Sequence, residues 1–318
     1  MGRQEDEQEV QERLMENLMG DLSLLVPYFD CKSVTNVYVY GSGAVEIDDF
    51  GKGPYWAGFS LSVSDRMRIV NSLASVTDTP IDRWKNPTLE SIIPKYNIRT
   101  TAILPDWVKA PEIAFRRPPD KIYTLEEYVS SGRLSGEFYE KINACLEERG
   151  NIIVSGSTGS GKTTFTNALL ERMARLAPND RFYIVEDVPE LQCSAARTTQ
   201  LYIRKEQAVL AVQTALRFTP KHIIFGEIRS GDIAAELLEA WNTGHPGNVT
   251  TIHADSAAST ISRYHGLLRQ KIQGKLPDLS WTVRLVVHLS SRPGSGPYVA
   301  EVLTMQEIGE IMRREGMP

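Results

Sequence analysis

The segment at residues 156–163 constrains this chain more than any other part of it. It reads Gly-Ser-Thr-Gly-Ser-Gly-Lys-Thr, follows the short apolar run Ile152-Ile153-Val154, and leads into an amphipathic helical pattern that begins at Lys162. Glycines let the backbone take positive φ and approach an anion closely, and the amides at the start of the helix then point at that anion. A strand, a glycine-rich loop and a helix in this order are typical of a phosphate-binding loop.

The residues of this loop have separate predicted roles. In such loops the backbone amides surround the β-phosphate of ATP, the lysine reaches the β- and γ-phosphates, and the hydroxyl that follows it ligates Mg²⁺. We therefore assign these last two roles to Lys162 and Thr163. The alternative, a glycine-rich turn without a ligand, is rare in this context. The predicted nucleotide-binding residues are Gly156, Ser157, Thr158, Gly159, Ser160, Gly161, Lys162, Thr163 and Thr164.

Two acidic side chains follow predicted strands. Residues 183–185 lead into Glu186, and residues 223–226 lead into Glu227. Because ligands of open α/β sheets bind at the carboxyl ends of the strands, both carboxylates are expected to face the nucleotide. Glu186 is predicted to ligate Mg²⁺, and Glu227 to act as the base that orients the attacking water. Each of them could instead be an ordinary helix cap.

Two histidines, His245 and His253, flank a strand predicted at residues 249–252. A zinc site needs further close ligands, and no cysteine cluster or third nearby ligand supports one. We therefore predict that His253 is a polar strand end that reaches the γ-phosphate. The alternative is a histidine with a purely structural role.

The sequence pattern changes near residue 118, where Pro118-Pro119 disfavours regular structure. Upstream, a hairpin at 34–47 and other antiparallel strands indicate an α+β domain. Downstream, continuous apolar strands alternate with helices, which indicates a mostly parallel sheet covered on both faces. The predicted fold is α/β, with a C-terminal P-loop NTPase domain of the RecA-like type preceded by a smaller α+β domain. The predicted divisions are an acidic amphipathic helix at 1–20, the α+β domain at 21–117, a linker at 118–132 and the ATPase domain at 133–318.

Composition excludes some functions. The net charge of −5 comes from the first 21 residues, since acidic and basic side chains are equally numerous in the rest of the chain. A large non-specific nucleic-acid surface is therefore not expected. No apolar run reaches the roughly 18 residues of a membrane-spanning helix. The three scattered cysteines favour a reducing compartment, and we predict a cytoplasmic protein.

Four segments together resemble the ATPases of type II secretion, type IV pili and type IV secretion. These ATPases carry a Walker A loop, an Asp box, a Walker B segment and a His box in that order. The corresponding segments here are 156–163, Ile-Val-Glu-Asp-Val-Pro-Glu-Leu at 184–191, Ile-Phe-Gly-Glu-Ile-Arg at 224–229, and 244–254. The glutamate that replaces the usual aspartate of Walker B is itself a mark of the family. Within it, the chain most resembles the VirB11 branch, and in particular the TrbB-type conjugal transfer ATPases.

This resemblance implies a hexameric motor of a conjugative type IV secretion system. Such a motor couples the binding and hydrolysis of ATP to domain movement, for pilus assembly or substrate transfer. It is implied to lie in the cytoplasm at the inner membrane, with inner-membrane channel components as partners and without direct nucleic-acid binding.

The resemblance also implies a role for arginines of the N-terminal domain. Arg99 and Arg116 are implied to contact phosphates of their own or a neighbouring subunit, and Arg117 is an alternative to Arg116. Arg217 and Arg229 are candidates of second rank.

Two rival functions remain open at this point. A motor of type IV pilus retraction or type II secretion would carry similar motifs and differ in its N-terminal domain and partners. A nucleic-acid translocase is less consistent with the balanced charge of the main body.

Overall fold

The computed structural model describes residues 2–49, 52–81, 87–117, 121–292 and 296–317, without the side chains of residues 2–8 and 292. The chain forms two compact units, Met1–Asp120 and Lys121–Pro318. Residues 118–120 of the predicted linker lie outside the described residues. The predicted fold class is confirmed, since an α+β unit precedes an α/β unit with a mostly parallel sheet.

The first unit contains three helices and six strands within its described residues. The strands form one antiparallel sheet in the order β3-β2-β1-β6-β5-β4. The elements are α1 (Gly2–Asp21), α2 (Val26–Asp30), β1 (Val34–Val39), β2 (Ala44–Asp49), β3 (Gly53–Ser60), α3 (Val63–Val76), β4 (Thr88–Ile93), β5 (Ile98–Ile103) and β6 (Glu112–Arg116).

The core of the first unit lies between its helices and one face of the sheet. Leu18 and Leu22, four residues apart, are fully buried together with Ile69 and Leu73 of α3. The acidic first helix therefore packs through its apolar face on its own unit, because residues four apart share one side of a helix.

A buried arginine ties several loops of this unit together. Arg66 is 2% exposed, and its guanidinium donates to the carbonyl oxygens of Ser62 (3.3 Å), Tyr40 (2.8 Å), Gly41 (3.1 Å) and Pro111 (2.7 Å). Burial lowers the pKa of this side chain from its ordinary value. Carbonyl oxygens without a partner would be costly at such a place, so the guanidinium satisfies the backbone of three segments at once.

The second unit contains seven strands and seven α-helices within its described residues. The elements are α4 (Leu125–Ser130), α5 (Gly136–Glu147), β7 (Asn151–Gly156), α6 (Lys162–Leu176), β8 (Phe182–Glu186), β9 (Thr198–Tyr202), α7 (Ala208–Phe218), β10 (His222–Phe225), α8 (Gly231–Asn242), β11 (Val249–Ile252), α9 (Ala257–Leu268), β12 (Val283–Arg292), β13 (Gly296–Thr304) and α10 (Met305–Arg314).

The sheet of the second unit has the order β13-β12-β7-β11-β10-β8-β9. Its strands are parallel except for the edge strand β13. Ile152 and Val154 pack with α4, α5 and α6 on one face, whereas Ile153 packs with α7, α8 and α9 on the other. Because both faces are covered, the central strands are apolar at consecutive positions rather than alternating.

Some elements do not follow from the sequence pattern. The polar edge strand β9, Thr-Thr-Gln-Leu-Tyr, has no fully buried residue and so lacks an apolar signal. The strands β3 and β4 and the helices α9 and α10 were likewise not predicted. Within the segment predicted as a linker, Leu125 and Tyr128 of α4 are buried in the core of the second unit. No helix in the described part of the chain combines the length and apolar character that a membrane span requires.

Replacement of the buried arginine tests its structural role. We expect Arg66→Met to lower the free energy of unfolding by about 3 kcal/mol, because several buried carbonyl oxygens lose their donor. Urea unfolding followed by circular dichroism measures this change. Arg68→Met is the matched control on the same helix. Arg68 is 62% exposed and pairs with Asp21 and Asp65 at the surface, so its loss is expected to cost less than about 1 kcal/mol. Equal losses for the two variants would contradict the assignment.

Candidate active site

The glycine-rich loop lies between the carboxyl end of β7 and the first turn of α6. Gly161 takes the position before the helix with φ of 84°. Ser157, Thr158 and Gly159 form an exposed tip, whereas Ser160 is fully buried and Thr164 is half-buried in the first turn of α6. The amides of the first helical turn have no partner within the helix, so this end of α6 is suited to an anion.

Two glycines of the loop are required by close packing. A Cβ atom at Gly156, where φ is 153°, would lie 2.3 Å from Ser160 Oγ and 2.5 Å from the carbonyl oxygen of Leu289. A Cβ atom at Gly161 would lie 2.7 Å from the Pro297 side chain. The loop therefore packs tightly against the ends of β12 and β13, and larger residues do not fit at these two positions.

Lys162 is buried beneath the loop and contacts the His box. Its Nζ donates to the carbonyl oxygens of Gly156 and Ser157, both at 3.0 Å, and lies 3.1 Å from His253 Nδ1. An ammonium group can only donate, so His253 Nδ1 accepts. In the neutral imidazole the proton is then on Nε2, the atom that faces Glu227.

Glu227 lies at the centre of a chain of charged contacts. One carboxylate oxygen, Oε2, accepts from Arg229 at 2.9 Å, and Arg229 also pairs with Asp187. The other, Oε1, lies 2.9 Å from His253 Nε2. That oxygen is buried, and its 2.9 Å contact with His253 Nε2 does not have the direction of a hydrogen bond. A buried carboxylate oxygen in this condition is suited to accept from a water molecule.

The acidic segment after β8 brings a different glutamate to the loop than the one predicted. The Thr163 hydroxyl donates to Glu190 Oε2 at 3.1 Å. Glu186 is 3% exposed, and its carboxylate accepts from the backbone amides of Glu190 and Leu191, both at 2.9 Å, and from Gln200 at 2.6 Å. Among these residues it is therefore Glu190, and not Glu186, whose carboxylate contacts the predicted Mg²⁺ ligand Thr163.

The ionisation of Glu186 reflects its burial. Loss of hydration raises its pKa from an ordinary value of 4.5 to about 7, although the three donors around it favour the charged form. In the sequence, Glu190 is one member of the acidic segment at residues 184–191. The sequence signal that could have identified Glu190 is its position, four residues after Glu186 in a loop at the carboxyl end of a strand.

The two histidines lie at opposite ends of β11. His253 follows the carboxyl end and contacts Lys162, as described above. His245 precedes the amino end, where its Nδ1 lies 2.9 Å from the carbonyl oxygen of Pro220. In the part of the chain that the structure describes, no group of three or more His, Cys, Asp or Glu side chains could hold a metal ion.

The arginines of the first unit lie on neighbouring strands. Arg99 and Arg116 are directly opposite each other in the pairing of β5 with β6. Arg116 is exposed, whereas Arg117 donates to the backbone oxygens of Val34 and Phe29. The contacts of Arg117 are therefore structural. In the second unit, Arg217 is exposed in the last turn of α7, which leads to the amino end of β10.

The fold and the glycine-rich loop define the second unit as a P-loop NTPase domain with a RecA-like sheet. The family described as Type II/IV secretion system protein matches residues 64–294. The chain belongs to this family, and the predicted resemblance to its VirB11 branch and to the TrbB-type proteins is confirmed. Membership of this family implies the use of a nucleotide and the hydrolysis of ATP.

Individual relatives agree with this placement. The Conjugal transfer protein TrbB of Rhizobium radiobacter is 31% identical over 296 residues, which is 92% of this chain and 90% of that protein. The Type IV secretion system protein VirB11 of Brucella suis biovar 1 is 26% identical over 325 residues, 88% of each chain. The structure of the pilus retraction motor PilT with bound ADP superimposes with a TM-score of 0.68 at 18% identity, covering 93% of this chain and 87% of that one. This last likeness shows the fold alone.

A matched pair of glycine replacements tests the packing of the loop. We expect Gly156→Ala to lower the free energy of unfolding by about 3 kcal/mol, because the new methyl group collides with the Leu289 carbonyl oxygen, which cannot move freely. Gly159→Ala is the control, since φ is 76° there but a Cβ atom meets nothing within 4 Å. It is expected to cost about 1 kcal/mol of backbone strain. Urea unfolding measures both, and similar values for the two would refute the packing argument.

Proposed function

We propose that this chain is the ATP-hydrolysing motor of a conjugative type IV secretion system. Six copies would form a ring in which the binding and hydrolysis of ATP drive domain movement for pilus assembly or substrate transfer. The observation that carries the proposal is the contact chain from Lys162 through His253 to Glu227, which joins the phosphate-binding loop to a carboxylate with one buried oxygen that lacks a directed hydrogen bond.

The loop residues would bind the triphosphate. The amides from about Gly159 to Thr163 would point toward the β-phosphate, and Lys162 would exchange its present acceptors for β- and γ-phosphate oxygens. The buried hydroxyl of Ser160, which has no hydrogen-bond partner among the described residues, is a further donor at this place. Donors that are already fixed in place need little rearrangement, and they therefore stabilise the charge that develops during phosphoryl transfer.

Thr163 and Glu190 would hold Mg²⁺, which would supply positive charge to neutralise the phosphates. Mg²⁺ is usually bound by one or two protein groups together with phosphates and water, and a hydroxyl beside a carboxylate fits that pattern. The contact between the two side chains supports Glu190 in the role that the sequence assigned to Glu186. Glu186 is already occupied by three donors of the protein.

Glu227 would orient the attacking water through Oε1. Arg229 holds its other oxygen, so the carboxylate has a defined orientation. His253 would link the binding of the phosphates by Lys162 to the orientation of water by Glu227. It can do so because the γ-phosphate and His253 compete for the same lysine. When Lys162 turns to the phosphates, His253 Nδ1 would lose its donor, and the tautomer that carries the proton on Nδ1 could then donate to a γ-phosphate oxygen.

Arg116, with Arg99 beside it, would complete the site from the first unit of the same or a neighbouring subunit. A guanidinium neutralises charge on the γ-phosphoryl group in many phosphoryl-transfer sites. The exposure of Arg116 and the backbone contacts of Arg117 favour Arg116 for this role.

The relatives support a proposal for the setting of the motor. The conjugal transfer name of the relative at 31% identity supports a conjugative channel over pilus retraction, because the retraction motor is similar only at the level of the fold. We propose that the protein works in the cytoplasm at the inner membrane, with inner-membrane components of the channel as partners. The balanced charge of residues 22–318 favours a role without direct nucleic-acid binding. A many-fold, salt-sensitive stimulation of ATP turnover by single-stranded DNA would instead support a translocase.

Replacement of the two central residues tests the proposed hydrolysis. Glu227→Gln is expected to bind a fluorescent ATP analogue within about twofold of the wild type and to lose at least 100-fold in kcat, because the amide does not orient water as a base. Lys162→Ala is expected to abolish turnover, because the β- and γ-phosphates lose their charge partner. Near-normal turnover of Lys162→Ala, or a Glu227→Gln protein that loses binding alone, would reject these roles.

A mixing experiment tests the action of Arg116 between subunits. Wild-type and Arg116→Ala chains are combined at a fixed total concentration, and ATP turnover is followed against the fraction of variant. We expect activity to depart from a straight line, because each site in a ring would combine residues of two chains.

Arg117→Ala is the control for this experiment, since it removes backbone contacts within the first unit and should reduce stability without a shared-site effect. A strictly linear decrease for Arg116→Ala would exclude action in trans. The molecular mass in solution, with and without ATP and Mg²⁺, reports whether a ring is present.

A further inference from the structure

We propose that Glu186 and Gln200 are positioning residues, and that together they hold the acidic loop at residues 188–192 so that Glu190 faces Thr163. This inference deepens the proposed function and rests on it, because it concerns how the Mg²⁺ side of the same site is built. Neither residue is assigned contact with the nucleotide.

The carboxylate of Glu186 acts as a bridge inside the protein. Its Oε2 accepts from the amides of Glu190 and Leu191, both at 2.9 Å, so it caps the backbone where the loop turns. Its Oε1 accepts from Gln200 Nε2 at 2.6 Å. Both oxygens are thus engaged by donors of the chain itself.

Gln200 completes this arrangement from the edge strand. Its amide nitrogen also donates to the carbonyl oxygen of Leu191 at 2.9 Å. It lies in the middle of β9, in register with Ile184 on β8. One side-chain amide therefore fixes both the Glu186 carboxylate and the backbone of the acidic loop.

The opposite side of the acidic loop is tied to α6. Asn167, which is 2% exposed, donates to the carbonyl oxygen of Glu190 at 3.1 Å and accepts from the amide of Gln192 at 2.9 Å. Thr163 is one turn earlier on the same face of this helix. The loop is therefore held between β9 and α6, and the Glu190 side chain emerges where Thr163 can reach it.

The free-energy cost of burying the Glu186 carboxylate indicates that this side chain does more than fill space in the core. Ionised carboxylates are costly to bury, and an apolar side chain of similar size would be cheaper at the end of β8. Burial raises the pKa of Glu186 in agreement with that cost. An apolar residue, however, cannot accept hydrogen bonds from two backbone amides, so it could not fix the backbone path of residues 190–191.

The test compares two replacements on one strand. Gln200→Met keeps the length of the side chain and removes the donor to Glu186 and Leu191. Thr198→Val on the same strand removes the hydrogen bonds of this hydroxyl to the carbonyl oxygen of Ala195, at 2.7 Å, and to Cys193 Sγ, at 3.5 Å, and keeps the donor to Glu186 and Leu191 in place. Both are expected to lower the thermal unfolding midpoint by a few degrees, so stability alone does not separate them.

The Mg²⁺ dependence separates them. For each full-length protein, the affinity for a fluorescent ATP analogue is measured in EDTA and across a MgCl₂ titration, and kcat is measured at saturating ATP. We expect Gln200→Met to bind within about twofold of the wild type in EDTA, to need roughly tenfold more MgCl₂ for half-maximal tightening of nucleotide binding, and to lose about tenfold in kcat. Such a tenfold change corresponds to about 1.4 kcal/mol. Thr198→Val should match the wild type in all three measurements.

The failures are distinguishable. If the wild-type chain does not hydrolyse ATP, the proposed function is wrong. If the wild type hydrolyses ATP and Gln200→Met has an unchanged MgCl₂ requirement, or Thr198→Val shifts as much, the positioning role is wrong. If Gln200→Met does not fold, Gln200→Asn takes its place. This variant keeps the amide but is one methylene too short to reach both acceptors, so the same shift in MgCl₂ requirement is expected and its absence overturns the proposal.

Discussion

The candidate site depends on one constraint, the parallel pairing of β7, β11, β10 and β8. The register places Ile252 beside Ser155, Thr250 beside Phe225 and Phe225 beside Val185. Because parallel neighbours end at the same edge, Glu186, Glu227 and His253, which lie at or just after the carboxyl ends of these strands, share the edge that carries the phosphate-binding loop. If these strands alternated in direction, about half of these groups would lie at the opposite edge of the sheet. His245 lies at that opposite edge because it precedes β11.

Electrostatic balance then organises the groups at this edge. Lys162, neutral His253, Glu227, Arg229 and Asp187 form a chain in which positive and negative charges compensate one another. In a partly buried site such charges interact more strongly than in water, so each one fixes the orientation of its neighbours. A triphosphate that takes Lys162 from His253 would disturb the whole chain. This is a physical route by which arrival of the nucleotide would reach Glu227, the carboxylate that we propose orients the attacking water.

Much of this architecture was predictable because its signals are local. The glycine-rich loop between an apolar strand and a helix, the change from antiparallel to alternating α/β pattern, and the membership of the secretion ATPases follow from short segments and their order. The strand β9 was not predictable, because a polar edge strand has no apolar pattern and is recognised only by its partner β8. The same holds for Arg66, since an arginine in a helix gives no sign that four carbonyl oxygens from three segments will surround it.

The sequence by itself determined the class of domain, the position of the phosphate-binding loop and the strand ends at which functional side chains stand. Those features depend on periodicity and on glycine positions that neighbouring residues set. Only the tertiary structure decided which acid contacts Thr163. Both Glu186 and Glu190 lie in one acidic segment, and the choice between them depends on Gln200 and Asn167, which reach the loop from another strand and another helix. Contacts between residues that are distant along the chain arise only when the sheet has assembled, and for that reason no local pattern could reveal them.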